Sequence, residues 1–176
     1  LGKTRDDAIG EAFDKVARVV GLGYPGGPKV DNLAKQGKPT IKLPVTHFDN
    51  LDFSFSGIKT AVINYVHNKQ QKGESLNVAD ICASFQTAVV EELASKTIKA
   101  VLESGQNKLV VAGGVSANSF LKERLTKECQ KNNIELYMPE LSLCTDNAAM
   151  IASAGYYNYL EGKTSDLNNR VKKSMK

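Results

Sequence analysis

The sequence predicts one α/β domain, and three observations predict it. Residues 108–112 form a short apolar run, a glycine pair follows, a helical period covers 119–130, and an extended segment returns at 134–138. That succession is a strand–turn–helix–strand unit, which crosses right-handed and sets its glycine turn at the carboxyl end of a sheet. Most of the remaining chain carries apolar residues three and four apart, the spacing of amphipathic helices. Finally, 176 residues with 41% apolar content suffice for one core, while the usual ~100–150 residues per domain leave no room for two full domains.

The first helix is read over 6–20, where Ile9, Phe13, Val16 and Val20 share a face and acids crowd the first turn. Gly21 and Gly23 stop it. Tyr24-Pro25-Gly26-Gly27-Pro28 is a turn whose glycines allow close backbone approach or a positive φ, and a short helix follows over 29–36. Residues 37–50 carry Pro39 and Pro44 and read as loop, with an edge strand at 40–43. Leucine and phenylalanine alternate with polar residues over 51–56, which predicts a half-buried strand ended by Gly57, then a helix over 58–68. From Val78 to Leu102 a helical period is sustained until Gly105, marking the central packing helix. The run 108–112 is expected to be a buried strand. At the other end, 143–151 leads into a helix through Tyr159 with Asp146 at or near its N-cap. These elements place the α/β domain at 1–162 and leave 163–176 as a basic tail expected to fray.

Composition excludes several classes. No run approaches the ~18 apolar residues a membrane helix needs, and 24% charged residues is ordinary for a globular chain. Cys82, Cys129 and Cys144 are odd in number, far apart and outside any CxxC pattern, so neither a disulfide framework nor a zinc finger is indicated. A reducing, cytoplasmic setting fits. Net charge is +4. Part of the basic excess lies in the helix around Lys122, Arg124, Lys127 and Lys131, read as a solvated face, and part in the tail at Lys163, Arg170, Lys172, Lys173 and Lys176. A nucleic-acid partner is compatible with the tail.

Four loci put small or acidic residues where a turn opens or a strand meets a helix. Gly113 and Gly114 remove side chains after the strand, and the helix behind them offers free N–H groups to an anion; the same pair also makes a tight turn with no ligand. Asn118 either hydrogen-bonds a ribose or caps its helix. Asp14 lies three residues after Glu11 on one helix face and is either a site residue or an exposed acid paired with Lys15 or Arg18. Gly27 and Asp31 belong to a turn and short helix that also read as plain loop and solvent-facing acid. Asp146 is either an N-cap or a metal ligand. His47 and His67, twenty positions apart, are in no ligand spacing and read as surface histidines. Segments 53–57 and 85–86 read as core rather than cofactor box. No Ser–His–Asp or Cys–His set can be placed, so no covalent mechanism is assigned.

These pieces, in this order, resemble the TsaD family, also called Gcp or YgjD, with relatives in the KEOPS complex. The resemblance rests on Thr4-Arg5-Asp6-Asp7-Ala8-Ile9-Gly10-Glu11-Ala12-Phe13-Asp14-Lys15, the Tyr24–Pro28 turn, Phe53-Ser54-Phe55-Ser56-Gly57-Ile58-Lys59-Thr60, Ser84-Phe85-Gln86, Val111-Ala112-Gly113-Gly114-Val115-Ser116-Ala117-Asn118 and Cys144-Thr145-Asp146-Asn147-Ala148-Ala149-Met150-Ile151. It implies the actin/sugar kinase/Hsp70-like (ASKHA) fold, of which this chain would supply the second half. It implies transfer of threonylcarbamoyl from threonylcarbamoyl-AMP to N6 of the adenosine 3′ of the anticodon in tRNA. By that match Asp14, Gly27, Asp31, Gly113, Gly114 and Asn118 face the adenylate, and Asp146 binds one divalent metal ion, iron or zinc. The family's HxxxH ligands and Ser-Gly-Gly phosphate loop are expected before Leu1, so the chain on its own is expected to be inactive and to expose an apolar cleft wall. Expected partners are tRNA, an adenine nucleotide, TsaB- and TsaE-like proteins and a second copy in a homo-dimer. Two rival readings remain, a non-catalytic TsaB-like scaffold and a metalloprotease; the latter needs a zinc-water site that these residues lack.

Overall fold

The computed structural model describes residues 1–166. Its helices are α1 (Ile9–Val19), α2 (Gly26–Ala34), α3 (Ser56–Gln71), α4 (Val78–Glu103), α5 (Ser119–Lys131) and α6 (Ala148–Leu160), and its strands are β1 (Lys108–Val110) and β2 (Glu135–Tyr137). Short 3-10 turns lie at Gly114–Ala117 and Leu141–Leu143. Leu1–Cys144 forms one compact unit; a second begins at Thr145 and contains α6. Of the basic tail expected at 163–176, residues 167–176 lie outside the described residues.

Within the first unit α4 is the central helix, packed by α2, α3 and α5. Its N-cap is Asn77, whose side chain accepts from the Asp80 N–H. Residues 81–86 are all buried, because this stretch has neighbours all round it. The main core gathers Phe13 and Val16 of α1, Val30 of α2, Ile58 and Val62 of α3, and Ile81, Phe85 and Val89 of α4. Val90 and Ala94 of α4 form a second cluster with Leu121 and Leu125 of α5.

β1 and β2 pair in parallel, Leu109 opposite Leu136, with α5 between them in sequence. The predicted strand–turn–helix–strand unit is therefore present, but its strand is not buried. Only the middle residue of each strand is half-buried, and Val110 is 73% exposed. A pair of strands packed by helices on one face leaves every second side chain on the other face in solvent. Two other expected strands do not form. Residues 40–43 stay irregular, since the backbone N–H of Ile41 donates to Ser84 Oγ at 3.0 Å and that of Lys38 to Asp80 Oδ1 at 2.8 Å, both on α4. Residues 51–56 shrink to a single parallel bridge between Phe53 and Thr4, closed by Phe53 N–H to Lys3 O and Arg5 N–H to Phe53 O, each 2.9 Å. Helix boundaries change as well: α1 begins at Ile9 rather than 6, leaving Asp6 and Asp7 outside it to meet the 54–59 segment, α2 begins at Gly26 rather than 29, and α3 runs Ser56–Gln71 rather than 58–68.

The early start of α3 has a cause 50 residues away in sequence. Asp6 receives the N–H groups of Phe55 (2.9 Å) and Ser56 (3.3 Å), the Ser56 hydroxyl (2.6 Å) and the Ser54 hydroxyl. It thus caps a helix of another segment. Asp7 beside it pairs with Lys59 at 2.6 Å and Lys15 at 3.1 Å. The two motif segments 4–15 and 53–60 are one structural device. Burial pushes the Asp6 carboxyl up, but the hydrogen bonds from Ser54, Ser56 and Phe55 outweigh it and draw it down to about 2. A folded-state pKa below the unfolded value contributes stability that is present above the unfolded pKa and lost as pH falls through the folded one. Urea midpoints should therefore fall between about pH 4 and pH 2, and Asp6→Asn should flatten that fall in part, Asp7 being lowered too. An unchanged acid slope in Asp6→Asn would count against the cap.

Among the described residues no helix is long and apolar enough to cross a membrane.

Candidate functional site

Three of the candidate residues are acids or amides engaged at helix N-termini, where free N–H groups and the helix dipole favour an acceptor. Pro25 precedes α2 and offers no side-chain cap. Asp14, mid-way along α1, supplies one: the Gly26 N–H donates to its Oδ1 at 2.7 Å. This is possible because α1 and α2 touch backbone to backbone. A Cβ at Gly26 would sit 2.6 Å from Asp14 Cα and 2.8 Å from both Phe13 O and Ala17 Cβ. The alternative of Asp14 as an exposed acid paired with Lys15 or Arg18 is not what forms; Lys15 turns instead to Asp7 and Glu11.

Asp31 is the second such acid. Expected as a solvent-facing residue if not a ligand, it is only 7% exposed. Ser119, the first residue of α5, donates its hydroxyl to Asp31 Oδ1 at 2.9 Å and its N–H to Oδ2 at 3.2 Å. Lys35 lies 3.6 Å from the same carboxylate. Asn118 is the N-cap of α5, its Oδ1 accepting from the Leu121 N–H at 2.9 Å, while its Nδ2 donates to Gln86 Oε1 at 2.8 Å. Asp31, Asn118 and Gln86 thus tie α2, α5 and α4 together around one helix terminus.

The glycine turn leads into that terminus. Gly113 has φ +94°, which a side chain would strain, and Ser116 folds its hydroxyl back onto Gly113 O at 2.6 Å. A Cβ at Gly27, Gly113 or Gly114 would meet nothing within 4 Å, so these backbones are open to an approaching group. A groove of about 370 Å³ between α5 and β2, lined by Lys122, Thr126, Cys129 and Ile134 among others, holds no candidate residue.

Asp146 lies in the second unit and is exposed. It is not the N-cap of α6; Asn147 is, its side chain accepting from the Met150 N–H at 3.1 Å. Among the described residues no three His, Cys, Asp or Glu side chains converge as a metal site. One exposed carboxylate does not fit a metal ion by itself, since affinity comes from several converging ligands. His47 and His67 are both exposed.

The basic face expected on α5 is neutralised in part. Arg124 pairs with Glu91 at 2.8 Å and Glu128 at 2.5 Å, which raise its pKa further, and Lys127 pairs with Glu123 at 2.7 Å. Gln86 belongs to the Ser84-Phe85-Gln86 motif segment, yet from the sequence 85–86 read as core and Gln86 receives no site role. Phe85 is core; Gln86 is a buried polar group, signalled by an amide amid the apolar residues of a central helix.

Fold and cluster together define an α/β protein with its candidate residues where a parallel strand runs through a glycine turn into a helix N-terminus. Solved structures support that class: the full-length HypF structure superposes with TM-score 0.62 at 21% identity, covering 88% of this chain and 20% of that one, and HypF of T. kodakarensis with TM-score 0.60 at 21% identity, covering 89% and 20%. The family described as TsaD, tRNA N6-adenosine threonylcarbamoyltransferase, matches residues 1–153, and the chain belongs to it. Relatives bearing that name include one from Clostridium botulinum (strain Kyoto / Type A2), 56% identical over 171 residues, 96% of this chain and 50% of the relative. Those of Caldicellulosiruptor saccharolyticus and Clostridioides difficile are 55% and 53% identical, covering 97% and 96% of this chain and 51% of each relative. The chain spans about half the length of the curated relatives it matches.

Proposed function

We propose that this chain supplies the nucleotide side of a tRNA N6-adenosine threonylcarbamoyltransferase with the ASKHA fold. The observation that carries the reading is the family match over residues 1–153, within which Asp14 caps α2 next to the open Gly27, and Asp31 and Asn118 meet at the α5 N-terminus after the open Gly113 and Gly114. Threonylcarbamoyl-AMP is a mixed anhydride. Attack by adenosine N6 on the carbamoyl carbon breaks its bond to the phosphate oxygen, AMP leaves with that electron pair, and the nitrogen loses a proton. The leaving group is already good, so the protein's task is to hold the nucleotide in line and to meet the developing oxyanion with N–H groups. In this reading the open backbone of Gly113 and Gly114 lies along the nucleotide, Gly27 lets it approach α2, and Asp14 and Asp31 fix the helix ends that frame it.

Partners in this reading are tRNA, threonylcarbamoyl-AMP and TsaB- and TsaE-like proteins, with self-association as a homo-dimer; the setting is the cytoplasm, in keeping with three free, buried cysteines. Asp146 is one ligand of an iron or zinc ion whose other ligands the family carries outside the matched residues. The exposed apolar α6, including Ile151, Tyr156, Tyr157 and Leu160, is a surface that further protein would cover.

The test is a chimera in which this chain replaces the matched part of the Clostridium botulinum relative, supplied with threonylcarbamoyl-AMP, tRNA and its partner proteins. Nucleoside mass spectrometry should find N6-threonylcarbamoyladenosine, and Asp146→Ala should lower the metal content. A folded chimera that leaves tRNA unmodified overturns the reading, and unchanged metal content removes Asp146 from the ligand set.

A further inference from the structure

Gln86 has no part in the nucleotide reading above, yet it is 4% exposed and polar in the middle of the central helix. Its one hydrogen bond explains why such a residue stands there. The Leu121 backbone N–H can only donate, so the Asn118 atom 2.9 Å from it is the amide oxygen. The Asn118 nitrogen is therefore turned to Gln86, 2.8 Å away, and Gln86 must present its own oxygen. Asn118 is thus held from both ends, with one N–H and one oxygen lone pair of its amide engaged and one of each left over. Its backbone also closes the 3-10 turn, through Asn118 N–H to Val115 O at 3.0 Å, and starts α5, through Lys122 N–H to Asn118 O at 3.1 Å.

We infer that Gln86 is a positioning residue: by accepting from Asn118 it locks the amide orientation that caps α5 and sets the backbone of the 113–118 turn. This rests on the nucleotide reading above for its functional consequence, since the turn is where the nucleotide lies. Asn118 then braces the turn through these two bonds, while its remaining N–H and lone pair stay available to the nucleotide. Removing the acceptor strands a buried donor, frees the amide to rotate and lets the cap open; an alternative acceptor of the same length restores it.

The test compares Gln86→Met, which keeps the volume without the acceptor, with Gln86→Glu, which retains an acceptor in either protonation state. In the 176-residue chain, amide exchange at Leu121 should be faster by about tenfold in Gln86→Met and close to wild type in Gln86→Glu. In the chimera, Gln86→Met should raise KM for threonylcarbamoyl-AMP by about tenfold with kcat changed by less than about twofold, and Gln86→Glu should recover most of the loss. In an Asn118→Ala background Gln86→Met should add nothing, because the two residues act as a unit. Additive losses, or a Gln86→Glu variant as impaired as Gln86→Met, would overturn the assignment. A faster Leu121 exchange beside an unchanged KM would uphold the brace and overturn the placing of the nucleotide on this turn, which separates the two failures.

Discussion

Phe85→Ala should destabilise the chain by about 3–5 kcal/mol, the usual cost of emptying a phenylalanine site in a packed core. Phe85 has no exposed surface and is the bulkiest of the fully buried side chains. Its ring meets Phe13 of α1 edge to face, with centroids 5.0 Å apart and planes at 70°. The alanine variant loses the transfer energy of the ring, the pair interaction and the contacts of the surrounding α1, α2 and α3 side chains, which cannot all collapse inward. Since a domain of this kind is stable by only ~5–15 kcal/mol, the change would populate the unfolded state under mild denaturant. Urea unfolding followed by far-ultraviolet circular dichroism measures it. Phe85→Leu should cost much less. Equal losses for the two variants would mean that ring packing is not what Phe85 contributes.

The second large effect separates two adjacent glycines. Gly26→Ala drives a methyl into Asp14 Cα, Phe13 O and Ala17 Cβ, all within 2.8 Å. None of these is a flexible side-chain tip, so α1 and α2 must part, and the Asp14 cap of 2.7 Å opens with them. A loss of about 1–3 kcal/mol or more is expected. Gly27→Ala meets nothing within 4 Å and should leave the thermal midpoint nearly unchanged. In the nucleotide reading it should still weaken threonylcarbamoyl-AMP, because the methyl occupies the path of approach. Equal thermal midpoints for the two variants would contradict the close helix contact, while a fully active Gly27→Ala chimera would contradict the approach.

Much of the scaffold was legible because it is written in local signals. The stop of α1 at Gly21, the length of α4 and the strand–turn–helix–strand order around Gly113 follow from side-chain period and from glycine, which act within a few residues. The family resemblance was legible for a related reason, since its motifs are contiguous. Strands were over-read: alternation over 51–56 describes a chain able to pair, while pairing itself needs a neighbour, and only residues 3–5 run alongside Phe53.

The candidate residues divide along the same line. Local order along the chain shows which residue types the site can use: an acid in α1, another in α2, a glycine pair after a strand and an asparagine before α5. What each one holds depends on how the helices pack. Asp14 caps α2 across 12 positions, Gln86 orients Asn118 across 32, and Asp31 receives Ser119 across 88. The physical reason is that a buried polar group must find its partner wherever the packing brings one, and no period or propensity encodes a partner that far away.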